Sequence, residues 1–189
     1  SLINEVYAIL ATFVIADRFD KFYSNIALKT DGKTLQRTTK ESNWYTGFGT
    51  EYVQKGETRS WKVKLITAES AAFFKGYIGI CDVSKCDPKM EGPVSDTKNE
   101  QYAMHMYNGH KCHQSRDGKP YAAKVTRGKV VEMVLSLKVP KGNKGKNRVG
   151  TLKYIVDGKD FGVAFDDVDV NKCYKLAISI QNRETYSLV

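Results

Sequence analysis

His105, His110, Cys112 and His113 carry the nitrogen and sulfur donors that tetrahedral zinc prefers, and three of the four fall within four positions. Their spacing matches none of the common zinc patterns, and they flank an Asn108-Gly109 pair that reads as a tight turn. His105 and Cys112 would have to meet from opposite strands of one hairpin, so ordinary hairpin side chains are expected and no metal is assigned. Asp166, Asp167 and Asp169 offer oxygen ligands to a hard cation, but EF-hand spacing is absent and a solvated turn after Phe165 accounts for them.

The thiols Cys81, Cys86, Cys112 and Cys173 form no CxxC knuckle and no small disulfide framework. Cys81 ends an apolar run, where a thiol acts as a small buried hydrophobe. Asp31-Gly32-Lys33-Thr34 resembles the end of a phosphate-binding loop, but Ala27 stands where that loop needs a glycine, so a hairpin turn is expected. G-x-S-x-G, H-E-x-x-H and G-x-G-x-x-G are absent. No nucleophile–base or carboxylate pair can be assigned, and a non-catalytic chain without cofactor is expected.

Charge is the remaining chemical feature. Lysine plus arginine outnumber aspartate plus glutamate by 30 to 21, a formal charge of +9 that attracts phosphates, acidic proteins or anionic lipid heads. Lys138, Lys141, Lys144, Lys146, Arg148 and Lys153 follow one another without an intervening acid, and three glycines free the backbone between them. Two readings stay open: a merely solvated lysine loop, or an electrostatic contact with an acidic partner or with RNA. Trp44 and Tyr45 follow a polar stretch and read either as exposed loop anchors for a partner or as core, whereas Trp61 reads as core.

The elements that hold these residues read as short strands. At 189 residues, with 41% hydrophobic and 27% charged residues, the chain suits one compact unit with a single core. Runs rich in β-branched and aromatic residues recur at 25–30, 33–38, 60–66, 73–81, 101–107, 121–125, 129–137, 151–156, 161–165, 174–180 and 184–189. Asp31-Gly32, Asn108-Gly109, Asp117-Gly118 and Asp157-Gly158 fall between them as turn dipeptides. Trp61, Val63 and Leu65 alternate with Lys62 and Lys64, and Leu152, Tyr154 and Val156 also alternate, which predicts half-buried strands. All four prolines, Pro88, Pro93, Pro120 and Pro140, are expected between strands.

Residues 6–16 form an apolar run too short to span a bilayer, with Glu5 where a signal peptide would carry basic charge. A buried strand or a short docking helix is expected there. With no N-glycosylation acceptor and no disulfide framework, a reducing cytoplasm or nucleus is expected.

The strand texts resemble the SPRY (B30.2-like) family. "GTLKYIVDGKDFGVAF" at 150–165 is similar to its signature of a G-T-L strand, an Asp-Gly or Asn-Gly turn and a G-x-A-F strand. "KGETRSWKVKL", "GYIGIC", "YNGHKCHQS", "TRGKVVEMVLSL" and "CYKLAISI" resemble further family strands in the right order. Lys129, where the family usually has aspartate, and the inserted basic loop 141–148 depart from the pattern.

The resemblance implies an all-β, two-layer antiparallel sandwich at 19–189, with 1–18 as an extension packing on it as a short helix or extra strand. It implies a protein-binding adaptor, within a larger multidomain protein, that takes a protein or short peptide in edge loops without membrane contact. The positions carried over are Phe22, Tyr23 and Ser24, then Asp82, Val83 and Ser84, then Gln181, Asn182 and Arg183, with Trp44 and Tyr45 nearby. Tyr23 and Gln181-Asn182 stand where the best-known pocket has arginine and tryptophan, which implies a shared platform with a different ligand.

Overall fold

The computed structural model describes residues 17–22, 25–38, 44–67, 75–87, 101–114, 118–138, 149–181 and 183–189. Fourteen strands account for most of them. In chain order they are β1 (Phe19–Phe22), β2 (Ile26–Leu28), β3 (Thr34–Arg37), β4 (Tyr45–Val53) and β5 (Thr58–Thr67). Then come β6 (Tyr77–Asp82), β7 (Gln101–His105), β8 (His110–His113), β9 (Lys119–Pro120) and β10 (Val130–Ser136). The last are β11 (Val149–Val156), β12 (Lys159–Asp169), β13 (Tyr174–Ile180) and β14 (Thr185–Leu188). Among the described residues no helix is long and apolar enough to cross a membrane.

The strands form two seven-stranded antiparallel sheets. One runs β1-β4-β13-β6-β7-β8-β9 and the other β12-β11-β10-β5-β14-β3-β2. Alternation places the core as the sequence predicts: Trp61, Val63 and Leu65 of β5 and Leu152, Tyr154 and Val156 of β11 are buried, while Lys62 and Lys64 face water. They meet Ile78, Ile80, Tyr102, Met104, Leu176 and Ile178 of the facing sheet. Each such side chain contributes about 1.5–3 kcal/mol by leaving water. The Tyr154 hydroxyl donates to the Ile78 carbonyl at 3.1 Å and ties the layers together.

The first sheet is buried on its outer face too, where Phe48, Cys81 and Ala177 form one small apolar cluster and Tyr77, Ala103 and Cys112 another. β6 and β13 are accordingly buried at every position rather than at alternate ones, Lys175 and Ser179 of β13 included. Close strand packing also dictates glycine at position 79, where a Cβ would lie 2.1 Å from the Tyr102 carbonyl oxygen.

The turn dipeptides that lie wholly within the described residues fall in turns between strands, as expected. Asp31 accepts from the Lys33 and Thr34 amides at 2.8 and 3.0 Å and from the Thr34 hydroxyl, closing the β2–β3 hairpin and holding its carboxyl below the usual range. Asp157 and Gly158 both have positive φ, 52° and 82°, as a two-residue turn between right-twisted strands requires. Asp117 lies outside the described residues, as do residues 6–16 and Pro88, Pro93 and Pro140.

Three expectations are corrected. Residues 121–125 are not a strand: the Ala122 and Val125 amides donate to the Gly109 and Met106 carbonyls, wrapping the segment across the end of the β7–β8 hairpin. Pro120 lies within β9 rather than between strands, and the short edge tolerates it because only one side is paired. Asp166, Asp167 and Asp169 belong to β12, which continues past Phe165 instead of turning. The nine-residue β4 escapes the sequence reading because Gly47 and Gly49 disguise it. Both sit where packing is tight, since a Cβ on Gly47 would lie 2.3 Å from Leu35 Cδ1 and one on Gly49 would lie 3.1 Å from an Asp17 carboxylate oxygen and 3.2 Å from Leu176 Cβ.

Candidate binding site

Antiparallel register decides which loops share an end of the sandwich. Ser179 stands opposite Tyr77, Ile180 opposite Tyr45, and Phe22 opposite Gly47. Trp44, Tyr45, the end of β1 and the turn after β13 therefore meet at one end of the first sheet. Asp82 stands opposite Tyr174, at the far end of β6. Six residues of strand separate the two ends by about 17 Å. The nine loop positions implied by the family resemblance are thus split, with Asp82, Val83 and Ser84 apart from Gln181 and Arg183. Tyr23, Ser24 and Asn182 lie outside the described residues.

At the Gln181 end, aromatic rings gather on the outer face of the sheet. Trp44 meets Tyr77 edge-on at 5.0 Å between ring centroids and His105 at 6.4 Å. His105 stacks on Tyr77 at 4.4 Å, and Tyr107 follows at 6.1 Å from His105. Exposure rises along this series: Tyr77 is buried, Trp44 and His105 are half-buried, and Tyr107 is 45% exposed. Burial holds His105 below the ordinary imidazole range and keeps it neutral at neutral pH. Lys75 and Arg183 are exposed at the same end, and Gln181 is half-buried.

Tyr45 differs from its neighbour. It is buried in the core, with the Arg37 guanidinium 4.6 Å above its ring, so the reading of Tyr45 as an exposed anchor is corrected: its β4 alternation turns it inward. Beneath the turn lies Glu184, which the sequence reading passed over. Its carboxyl accepts from the Lys75 amide at 2.6 Å, the Gln181 amide at 3.2 Å and the Tyr186 hydroxyl at 2.7 Å. The network fixes the Gln181 turn against the strand entering Tyr77.

At the opposite end a single 3-10 turn, Val83–Lys85, follows β6. Asp82 caps it by accepting from the Ser84 amide at 2.9 Å and hydroxyl at 2.8 Å, and lies 3.8 Å from the Lys172 ammonium. Val83 and Ser84 are exposed there.

The histidine and cysteine ligands of the zinc pattern do not converge. His105 faces His110, Cys112 faces Ala103, and His113 faces Tyr102, so Cys112 and His113 point to opposite faces. His113 stacks on Tyr102 at 4.0 Å and its Nδ1 lies 2.8 Å from the Gln101 carbonyl oxygen. Among the described residues no group of three histidine, cysteine or acidic side chains is placed to hold a metal ion. Lys111 and His113 instead line a cleft of 360 Å³ at the seam between the sheets, facing Phe165, Asp166 and Asp167.

Lys141, Lys144, Lys146 and Arg148 lie outside the described residues. Of their flanks, Lys138 is exposed and Lys153 is paired with Asp160 at 2.7 Å. That pairing, with the Gly162 amide, holds the Asp160 carboxyl below its usual range.

No sequence-family model matches the chain, and no curated protein sequence does. Solved structures do match in shape. The SPRY domain of human HERC1 superposes with a TM-score of 0.65 over 90% of this chain and 96% of its own, at 15% identity. The PSpry domain of TRIM65 gives 0.63 over 92% and 89%, at 10% identity. The NHR1 domain of Drosophila melanogaster Neuralized gives 0.58 over 92% and 98%, at 15% identity. Two seven-stranded antiparallel sheets that superpose over nearly the whole chain give this protein the fold of the SPRY domains.

Proposed function

We propose that this domain is a non-catalytic recognition module that binds a protein or short peptide at the Gln181 end of its first sheet. The observation that carries the reading is the graded aromatic series Trp44, Tyr77, His105 and Tyr107, buried at one end and open at the other. Large rings held by neighbours offer contact area at little entropic cost, and the polar Lys75, Gln181 and Arg183 beside them would fix a ligand's register. The SPRY fold supports the reading by analogy only.

The test is selection of peptides from a displayed random library against the intact chain, followed by affinity measurement on two surface variants. Loss of binding in Tyr107→Ala/Arg183→Ala, with retention in Val83→Ala/Ser84→Ala, supports the reading. Retention in the first and loss in the second moves the site to the Asp82 end. Binding that survives in both variants but falls steeply with salt assigns it to the basic segment and an acidic or nucleic-acid partner.

A further inference from the structure

Cys81 and Cys86 bracket the 3-10 turn at the Asp82 end, and their sulfurs converge on one atom. The Cys81 Sγ lies 3.4 Å from the Asp82 carbonyl oxygen and the Cys86 Sγ lies 3.3 Å from the same oxygen. The turn returns the chain because the Cys86 amide reaches the Val83 carbonyl and the Val83 amide donates to the Cys173 carbonyl at 2.8 Å. Cys86 packs on the small cluster of Phe48, Cys81 and Ala177, so the two side chains share one apolar pocket. Cys81 is fully buried, whereas Cys86 keeps partial contact with solvent.

We propose that Cys81 and Cys86 are a dithiol site for oxidation by hydroperoxides, closing an intrachain disulfide around Asp82, Val83, Ser84 and Lys85. The roles follow from exposure. The neighbouring Cys86 thiol, then burial, pushes the Cys81 thiol far above the ordinary range, and the partial exposure of Cys86 makes it the sulfur that meets the oxidant. The Cys86 sulfur, having lost its proton, attacks one peroxide oxygen. The O–O bond breaks and the departing oxygen takes a proton, leaving a sulfenic acid and, from hydrogen peroxide, water. The Cys81 sulfur then attacks the Cys86 sulfur, the S–O bond breaks and a second water leaves with the Cys81 proton. Two thiols lose two electrons in total and one peroxide is reduced to two waters.

Oxidation would convert a turn held by hydrogen bonds into a covalent ring. Ring closure requires the two sulfurs, both already within 3.4 Å of one carbonyl oxygen, to approach to bonding distance with a Cβ–S–S–Cβ dihedral of about 90°. The proposal does not depend on the binding reading, because its readout is a mass and not an affinity.

The intact chain is treated with hydrogen peroxide, unfolded with an alkylating agent to block remaining thiols, and digested with trypsin. Cleavage after Lys85 separates the two cysteines, so the disulfide appears as peptides 76–85 and 86–89 joined and lacking two hydrogens, with Cys112 and Cys173 alkylated. Cys86→Ser should abolish the linked species and leave Cys81 alkylated. Cys81→Ser should leave Cys86 as a sulfenic acid that dimedone traps. A bond between Cys86 and Cys173, or oxidation of Cys86 to the sulfinic acid with Cys81 still reduced, would overturn the proposal. So would four alkylated thiols at a peroxide dose that oxidises an exposed cysteine in a reference peptide.

Discussion

The Tyr186 hydroxyl donates a 2.7 Å hydrogen bond to the Glu184 carboxyl, and both residues are buried beneath the turn that carries Gln181 and Arg183. Burial pushes Glu184 up to about 7 from an ordinary 4.5, against the opposing pull of the Tyr186 hydroxyl and the Lys75 and Gln181 amides. The unfolded chain holds this proton less tightly than the folded one. Its contribution to stability is therefore complete below pH 4.5 and disappears as pH rises through about 7. That difference corresponds to about 3 kcal/mol. Glu184→Gln, which mimics the protonated acid, should flatten the fall in unfolding midpoint between pH 5 and pH 8, as calorimetry across that range would show.

Asp17 should anchor the first strand of the sandwich. Its carboxylate accepts from the Trp61 indole N–H, from the Thr50 hydroxyl at 3.0 Å and from the Glu51 amide at 3.3 Å. Asp17→Ala leaves the indole donor of a buried tryptophan unmet, at a cost of about 1–3 kcal/mol. Asp17→Asn keeps an acceptor and should lose less, a ranking that urea unfolding resolves.

Tyr121 closes a gap in the edge of the second sheet. The β11–β12 ladder shifts register between Leu152 and Ile155, and there the Tyr121 hydroxyl accepts from the Tyr154 amide at 3.2 Å while donating to the Gly162 carbonyl at 2.6 Å. Tyr121→Phe should cost about 1–2 kcal/mol and speed hydrogen exchange at the Tyr154 amide above that of its ladder neighbours.

The legible parts of this chain are those where one local rule acts alone. Alternation at Trp61–Val63–Leu65 and positive φ at Asp157-Gly158 need no tertiary knowledge, so β5 and the β11–β12 hairpin fall where the pattern puts them. β4 was hidden because Gly47 and Gly49 answer to Leu35 and Leu176, residues distant in sequence. The split of the expected loops follows from strand register, which puts Asp82 and Gln181 at opposite ends of neighbouring strands and which no motif encodes. Glu184, between Arg183 and Thr185, reads as a surface charge. Its burial depends on Tyr186 and on the strand entering at Lys75. The aromatic series left one usable trace, His105 and Tyr107 spaced by two beside the Asn108-Gly109 turn, which places their side chains on one face.

The most direct test of the binding surface is residue-resolved NMR of the labelled chain titrated with a library-selected peptide. The account predicts shift changes at the Trp44 indole and at the amides of Lys75, Tyr107, Gln181 and Arg183, with Val83 and Ser84 unmoved. Perturbations centred on Val83, Ser84 and Lys172, with Trp44 and Tyr107 silent, would contradict it.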